Sequence, residues 1–265
     1  MKRTLTTLFL CLMMGLTAAV SAQDKPAPAP SKSATPQTPA AKPSTPLPTA
    51  EQVVSKYVQA IGGKAAIEKL TSRQETGTFE LGAMGVSAPV EIAAKAPNKT
   101  ILTINIEGFG TIQRGYNGTV AWENNPQTGL RELSGGELAQ MKLGSDFYRD
   151  IKLMQVFPKM TVKGIEKVND SDAYVVDATS ADGITETMYF DAQTGLIVRT
   201  DVEADSPQGK MKITSYPSDY RDVDGVKLPF ALRQITPQFE FTIKLDSIKH
   251  NVAIDDAKFN KPAAQ

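Results

Sequence analysis

The stretch Glu186-Thr187-Met188-Tyr189-Phe190-Asp191-Ala192-Gln193-Thr194-Gly195-Leu196-Ile197-Val198-Arg199-Thr200-Asp201-Val202 decides the fold class. Its two ends, Glu186–Phe190 and Leu196–Val202, read as strands. The middle, Asp191 to Gly195, offers a glycine at the left-handed position of a longer hairpin loop. Strands joined by so short a turn run antiparallel, because parallel neighbours need a crossover. The pattern continues in both directions. Strands are predicted over Met160–Val168 and Ala173–Thr179 before it, and over Met211–Tyr216, Val226–Arg233 and Glu240–Ile248 after it. Asp224-Gly225 offers a type I′ turn between two of these.

Further upstream, Val86, Ala88, Val90, Ile92 and Ala94 alternate with more polar or smaller partners, the period of a half-buried strand. Pro89 argues for an edge or a bulge there. Leu102, Ile104 and Ile106 give a second alternating face, and Asn117-Gly118 predicts a two-residue hairpin between Thr111–Tyr116 and Thr119–Glu123. Helices are predicted at two places. Thr49 and Gln52 have capping-box spacing ahead of an apolar stripe of Val54, Tyr57, Val58 and Ile61. Gly62-Gly63 interrupts it, and Ala66, Ile67 and Leu70 resume it. Ser134 and Glu137 repeat the capping-box spacing before a helix running to about Tyr148, with a continuation through Ile151, Met154 and Phe157 that stops at Pro158. The expected architecture is α+β: a large curled antiparallel sheet of about 10–11 strands, an open half-barrel with helices against its concave face.

The ends of the chain have a different character. Lys2 and Arg3, an apolar run from Leu5 to Leu16, and Val20-Ser21-Ala22 make residues 1–22 a secretory signal cleaved after Ala22. The apolar core is about twelve residues where a bilayer needs ~20, so no transmembrane span is expected in the mature chain. Residues 23–48 are a Pro/Ala/Ser/Thr-rich linker of disordered composition, residues 49–261 a β-rich domain, and 262–265 a tail. Cys11, the single cysteine, lies inside the signal, so the mature chain is expected to carry neither disulfides nor thiolate metal sites. The formal net charge is zero, and losing Lys2 and Arg3 leaves it slightly acidic, which excludes the footprint of a nucleic-acid binder. The chain is expected in the periplasm.

Catalytic and metal-binding sets are not predicted. His250 is the only histidine and is read as a solvated side chain. One histidine without a mature cysteine builds neither a serine triad nor a Cys-His pair. Asp219, Asp222 and Asp224 flank a predicted turn and lack a calcium-loop pattern, and Gly135-Gly136 needs no more than a helix start. What remains is an apolar interior. Methionines suit a deformable pocket as well as an irregular core, and Trp122 is read as a core or rim residue beside the Asn117-Gly118 hairpin. The residues expected to line an apolar ligand cavity are Leu102, Ile104, Trp122, Met141, Met154, Phe157, Met188 and Met211.

Several short motifs resemble those of one family in their order. They are Ile61-Gly62-Gly63 with Ala66-Ile67-Glu68-Lys69-Leu70, Gly77-Thr78-Phe79, Ala94-Lys95-Ala96-Pro97-Asn98-Lys99, and Tyr189-Phe190-Asp191 with Thr194-Gly195-Leu196. Asp219 to Val226 leading to Pro229-Phe230, Asn251-Val252, and Asp255-Asp256-Ala257-Lys258-Phe259 complete the set. From about Val53 to Phe259 the chain resembles outer-membrane lipoprotein-sorting-like proteins, a divergent branch of the LolA/LolB-like carrier fold. The resemblance implies a half-barrel closed by helices and, in the carrier branch, an apolar cavity for lipoprotein acyl chains. The same domain is found attached to exported multihaem cytochrome proteins, but this chain has no Cys-x-x-Cys-His motif, and no cofactor is expected. The leading expectation is a non-enzymatic carrier or binding module for an acyl chain or other apolar ligand. The alternative is an envelope interaction or structural module with a filled core.

Overall fold

The computed structural model describes residues 46–206 and 209–263; the predicted signal, linker residues 23–45 and the last two residues of the tail lie outside them. Thirteen strands pair into one antiparallel sheet. The first six are β1 (Ser72–Leu81), β2 (Val86–Lys95), β3 (Lys99–Ile106), β4 (Gly110–Tyr116), β5 (Ala121–Asn125) and β6 (Gly129–Glu132). The other seven are β7 (Lys159–Val168), β8 (Ser171–Thr179), β9 (Thr185–Asp191), β10 (Ile197–Ser206), β11 (Gly209–Val223), β12 (Val226–Ile235) and β13 (Glu240–His250). The spatial order is β6-β5-β4-β3-β2-β1-β13-β12-β11-β10-β9-β8-β7. Two meanders are thus joined at their outer ends in sequence, β1 against β13. The sheet curls without closing, so the α+β open half-barrel is what the chain builds.

Two strands escape the apolar pattern. β1 begins Ser72-Arg73-Gln74-Glu75-Thr76, too polar to announce a strand, and β6 has four residues. Pro89 lies one residue beyond the last β2–β3 pair, Val90 with Ile104, so β2 is locally an edge where the proline falls. The Asn117-Gly118 hairpin exists but is longer than the two-residue turn expected. Tyr116 pairs with Ala121, because the Asn117 side chain accepts from the N–H groups of Thr119 and Val120 and holds both out of the ladder. Asp224 (φ 54°) and Gly225 (φ 79°) form the predicted tight turn of β11 and β12.

Helix α1 (Ala50–Ala60) starts as its spacing predicts. The Thr49 hydroxyl accepts from the Gln52 N–H at 3.2 Å, and the Gln52 side chain accepts from the Thr49 N–H at 2.9 Å. Its buried face is Val53, Val54 and Tyr57. Gly62 (φ 114°) then turns the chain while pressed against the β11–β12 turn, so close that a Cβ would meet the Gly225 carbonyl oxygen. The Lys227 N–H donates to the Ile61 carbonyl at 3.0 Å beside it. Short α2 (Lys64–Ile67) follows. Helix α3 (Gly135–Ser145) departs from expectation at its start: Ser134 makes no side-chain cap bond, and the Glu137 side chain is held by Arg131, whose two terminal nitrogens each lie 2.8 Å from a carboxylate oxygen. The helix ends at Ser145, and α4 (Leu153–Val156) comes after a 3-10 turn at Arg149–Lys152.

This helical connection leaves one edge strand, β6, and enters the other, β7. On the way α3 touches β4 and β5 on one side and β10 on the other. The C-terminal segment packs on the opposite face. There Phe259 is buried with Ala93, Ile101 and Trp122, and the Trp122 indole N–H donates to the Phe259 carbonyl at 3.0 Å. Lys95 and Lys99 both bind the Asp256 carboxylate, at 2.8 and 2.6 Å. These two bonds, Lys95 first, hold the Asp256 carboxyl down at about 2. The closing motif of the chain is therefore a clasp on the sheet.

Candidate functional site

Strand alternation sorts the sheet's side chains onto two faces. Arg73 in β1 lies 6.0 Å from the Phe147 ring beside the helices, and Tyr116 in β4 packs with Leu138 and Met141 of α3. The regular pairings between these strands put Phe79, Val90, Ile92, Leu102, Ile104 and Ile112 on that same concave face. The face has two apolar regions. In one, Val53, Val54, Tyr57, Ile61, Leu153 and Phe157 from the helical segments seal Val176, Ala178, Met188, Phe190 and Ile197 of the sheet. In the other, Ala88, Val90, Ile104 and Ile243 are buried among Phe79, Ile92, Leu102, Ile106, Ile112, Phe241 and Leu245, which stay half-buried. Every residue of this second cluster belongs to a strand, so it forms an apolar trough into which, among the described residues, no helical side chain is packed. Along β1 the two regions are divided by a polar pair on the same face, Arg73 and Glu75, 2.5 Å apart.

The expected cavity residues are distributed across these regions. Leu102 and Ile104 line the trough, and Met141 packs from α3 onto Tyr116 and Leu133. Phe157 and Met188 sit in the helix-sealed core. Met154 is 41% exposed, Met211 is half-buried in β11, and Trp122, 1% exposed, faces the other side of the sheet. Counting strand register separates Trp122: it pairs with Gly115, whereas Leu102 pairs with Arg114, one position along the same strand.

Beneath α1 and α2 remains a cavity of about 210 Å³. Ile61, Ile67, Leu70, Ile197, Val226 and Leu228 give it apolar walls, while Tyr57, Arg73, Asp150, Tyr220, Lys227 and His250 bring polar atoms. Burial first, and the hydrogen-bonded Asp150 carboxylate second, push the Tyr57 hydroxyl well above the usual tyrosine range. The Tyr220 hydroxyl is raised by the same two causes and donates to the Ile197 carbonyl at 2.8 Å. Nearby, burial works against the charge of Arg149, but Glu186, 2.5 Å away, and Asp150 outweigh it and hold the guanidinium above its ordinary value.

His250 corrects the sequence reading. Its side chain is 1% exposed rather than solvated, because β13 turns it into the cavity wall opposite Arg73. Its Nδ1 lies 3.0 Å from the Asp224 carboxylate on the β11–β12 turn. Position near the end of a strand hid this; the partner comes from another hairpin.

An unclosed antiparallel sheet curled around helices, with an apolar trough beside them, defines an α+β half-barrel. The sequence matches no protein-family profile and no curated protein. Solved structures give the fold its name. A DUF1329 family protein from Desulfovibrio piger is similar at 14% identity and a TM-score of 0.56, over 81% of this chain and 98% of that one. A LolA superfamily protein from Nitrosomonas europaea is similar at 13% and 0.53, over 81% and 99%. An outer membrane lipoprotein-sorting protein domain from Vibrio parahaemolyticus, so described as a putative assignment, follows at 10% and 0.50, over 80% and 94%. The chain has a divergent LolA-like fold.

Proposed function

We propose that this chain is a non-enzymatic periplasmic protein of lipoprotein-sorting type, a carrier or binding module whose concave face takes an acyl chain or another apolar ligand. The observation that carries this reading is the strand-only trough of Phe79, Ile92, Leu102, Ile106, Ile112 and Phe241. Apolar surface left half in water is stabilised by whatever covers it, at about 25 cal/mol per Å². The likeness of fold to a lipoprotein-sorting domain and the N-terminal export pattern support the same reading. Leu102 and Ile104 are the expected residues that contact ligand directly; Phe157 and Met188 become accessible only as the helices lift.

The test is a fluorescent apolar probe titrated into the purified full chain, with solvent extraction and mass spectrometry of whatever lipid accompanies it. Leu102→Gln with Ile112→Gln is expected to weaken probe binding about tenfold while the protein stays folded at a somewhat lower unfolding temperature. Equal binding by the variant, or neither probe nor lipid bound by the wild type, overturns the reading. A second reading, an interaction module for an envelope partner, is favoured by Met84 and Phe239, both nearly half exposed at the trough's rim. Recovery of a stoichiometric protein from envelope extracts, lost on Phe239→Ser, is what it expects.

A further inference from the structure

The wall of the cavity under α1 carries a buried acceptor that nothing among the described residues claims. An ionised carboxylate only accepts hydrogen bonds, so Asp224 requires the proton of His250 on Nδ1. In the neutral ring the other nitrogen, Nε2, then keeps its lone pair. It is buried and has no partner among the described residues. Two further groups of the wall also offer acceptors. Asp150 contributes a carboxylate, and the Tyr220 hydroxyl already donates to the Ile197 carbonyl, which leaves its oxygen to accept. The two cations of the wall are each ion-paired with a carboxylate that does not line the cavity, Arg73 with Glu75 at 2.5 Å and Lys227 with Asp222 at 3.0 Å, although the buried Arg73 Nε makes no well-aligned hydrogen bond among the described residues. A negatively charged head would meet Asp150 and an acceptor nitrogen. A neutral donor would complete the site.

We propose that this cavity receives the hydroxyl end of a neutral single-chain amphiphile, an alcohol-type head that donates to His250 Nε2 while its first carbons lie against Ile61, Leu70, Val226 and Leu228. The proposal rests on the carrier reading and names the chemical class of the ligand. A dry cavity of about 150 Å³ takes a benzene ring, so about 210 Å³ takes on the order of eight carbon atoms.

Two isomers separate the head from the chain: 1-octanol, which donates, and 1-methoxyheptane, which does not. Octanoate adds the charged head. Binding of each to the full chain is measured by calorimetry, and the single histidine gives one assignable pair of imidazole nitrogen resonances. 1-Octanol is expected to bind about tenfold more tightly than its isomer and than octanoate, and to shift the Nε2 signal. His250→Phe is expected to abolish the preference while still binding the ether. Asp224→Asn, at an exposed turn position that tolerates asparagine, releases the ring tautomer and is expected to reduce the preference without unfolding. Equal binding of the two isomers by the wild type, or a preference that survives either substitution, overturns the proposal. If the apolar probe binds and neither isomer does, the proposal fails alone; if none binds, the carrier reading fails with it.

Discussion

Under the helical segments, Met188, Phe190 and Ile197 meet Tyr57, Leu153 and Phe157, and all are sealed; on β1 to β4 and β13, Phe79, Leu102, Ile112 and Phe241 cluster with other strand residues. Both regions use the same alternation on the same face of one sheet. The difference lies in what the chain lays on top. The connection from β6 to β7 carries α3 across the opening and sets α4 on the far meander, and α1 docks there too, fixed by Gly62 on the β11–β12 turn. Arg73 and Glu75 mark the boundary. One half is therefore a core in the ordinary sense, while the other is a surface with core composition. Sheet curvature alone buries the floor of the trough, Val90 and Ala88 among it, but leaves its flanking side chains partly in water.

The comparison breaks most visibly through stability. Phe157→Ala, in the sealed half, is expected to cost about 3–5 kcal/mol in urea unfolding. Gly62→Ala should cost on the order of 2 kcal/mol, since it combines an unfavourable left-handed φ with a collision at the Gly225 carbonyl, and it should loosen α1 in hydrogen exchange. Leu102→Ala in the trough is expected to cost less, about 1–2 kcal/mol, because part of that side chain stays exposed. Equal losses for Phe157→Ala and Leu102→Ala would show that the two halves are one core.

The smallest effect belongs to the clasp. The Asp256 carboxyl has an ordinary value of 3.8 and about 2 in the fold, so its contribution is complete above about pH 4 and is lost as pH falls toward 2. Amide exchange of residues 252–260 should rise in that window, and Asp256→Asn should remove the dependence. An unchanged pH profile in the variant would assign the loosening to other carboxylates.

Much of this architecture is legible in the chain because its determinants are local. The Thr49–Gln52 capping box and the Asp191–Gly195 loop act within a few residues, and both form as read. In the loop, burial opposes the Asp191 charge, but hydrogen bonds from the Thr194 backbone and hydroxyl keep its carboxyl below the usual range. What stays hidden is non-local. β1 is masked because its inward residues include an ion pair, Arg73 with Glu75, in place of apolar side chains. His250 is masked because its burial depends on Asp224, brought to it by the pairing of β12 with β13. The expected cavity residues were chosen by side-chain type, and type does not say which face a strand residue takes. Two of the motifs that carry the resemblance, by contrast, touch: Gly62 meets Gly225, while Asn251 accepts from the N–H of Thr71, one residue past Leu70, at 2.8 Å.

The pairing of β1 with β13 has a consequence in time. Every other ladder joins strands that follow one another in the chain and can zip as soon as both are made. β1 must wait until Glu240–His250 has been synthesised, and its closure carries the loop entropy of most of the domain. In the interval it is an exposed edge, open to strands of other chains. Its polar opening, Ser72-Arg73-Gln74-Glu75-Thr76, makes that edge a poor template for aggregation. The composition that hides β1 from a pattern search also protects the nascent chain.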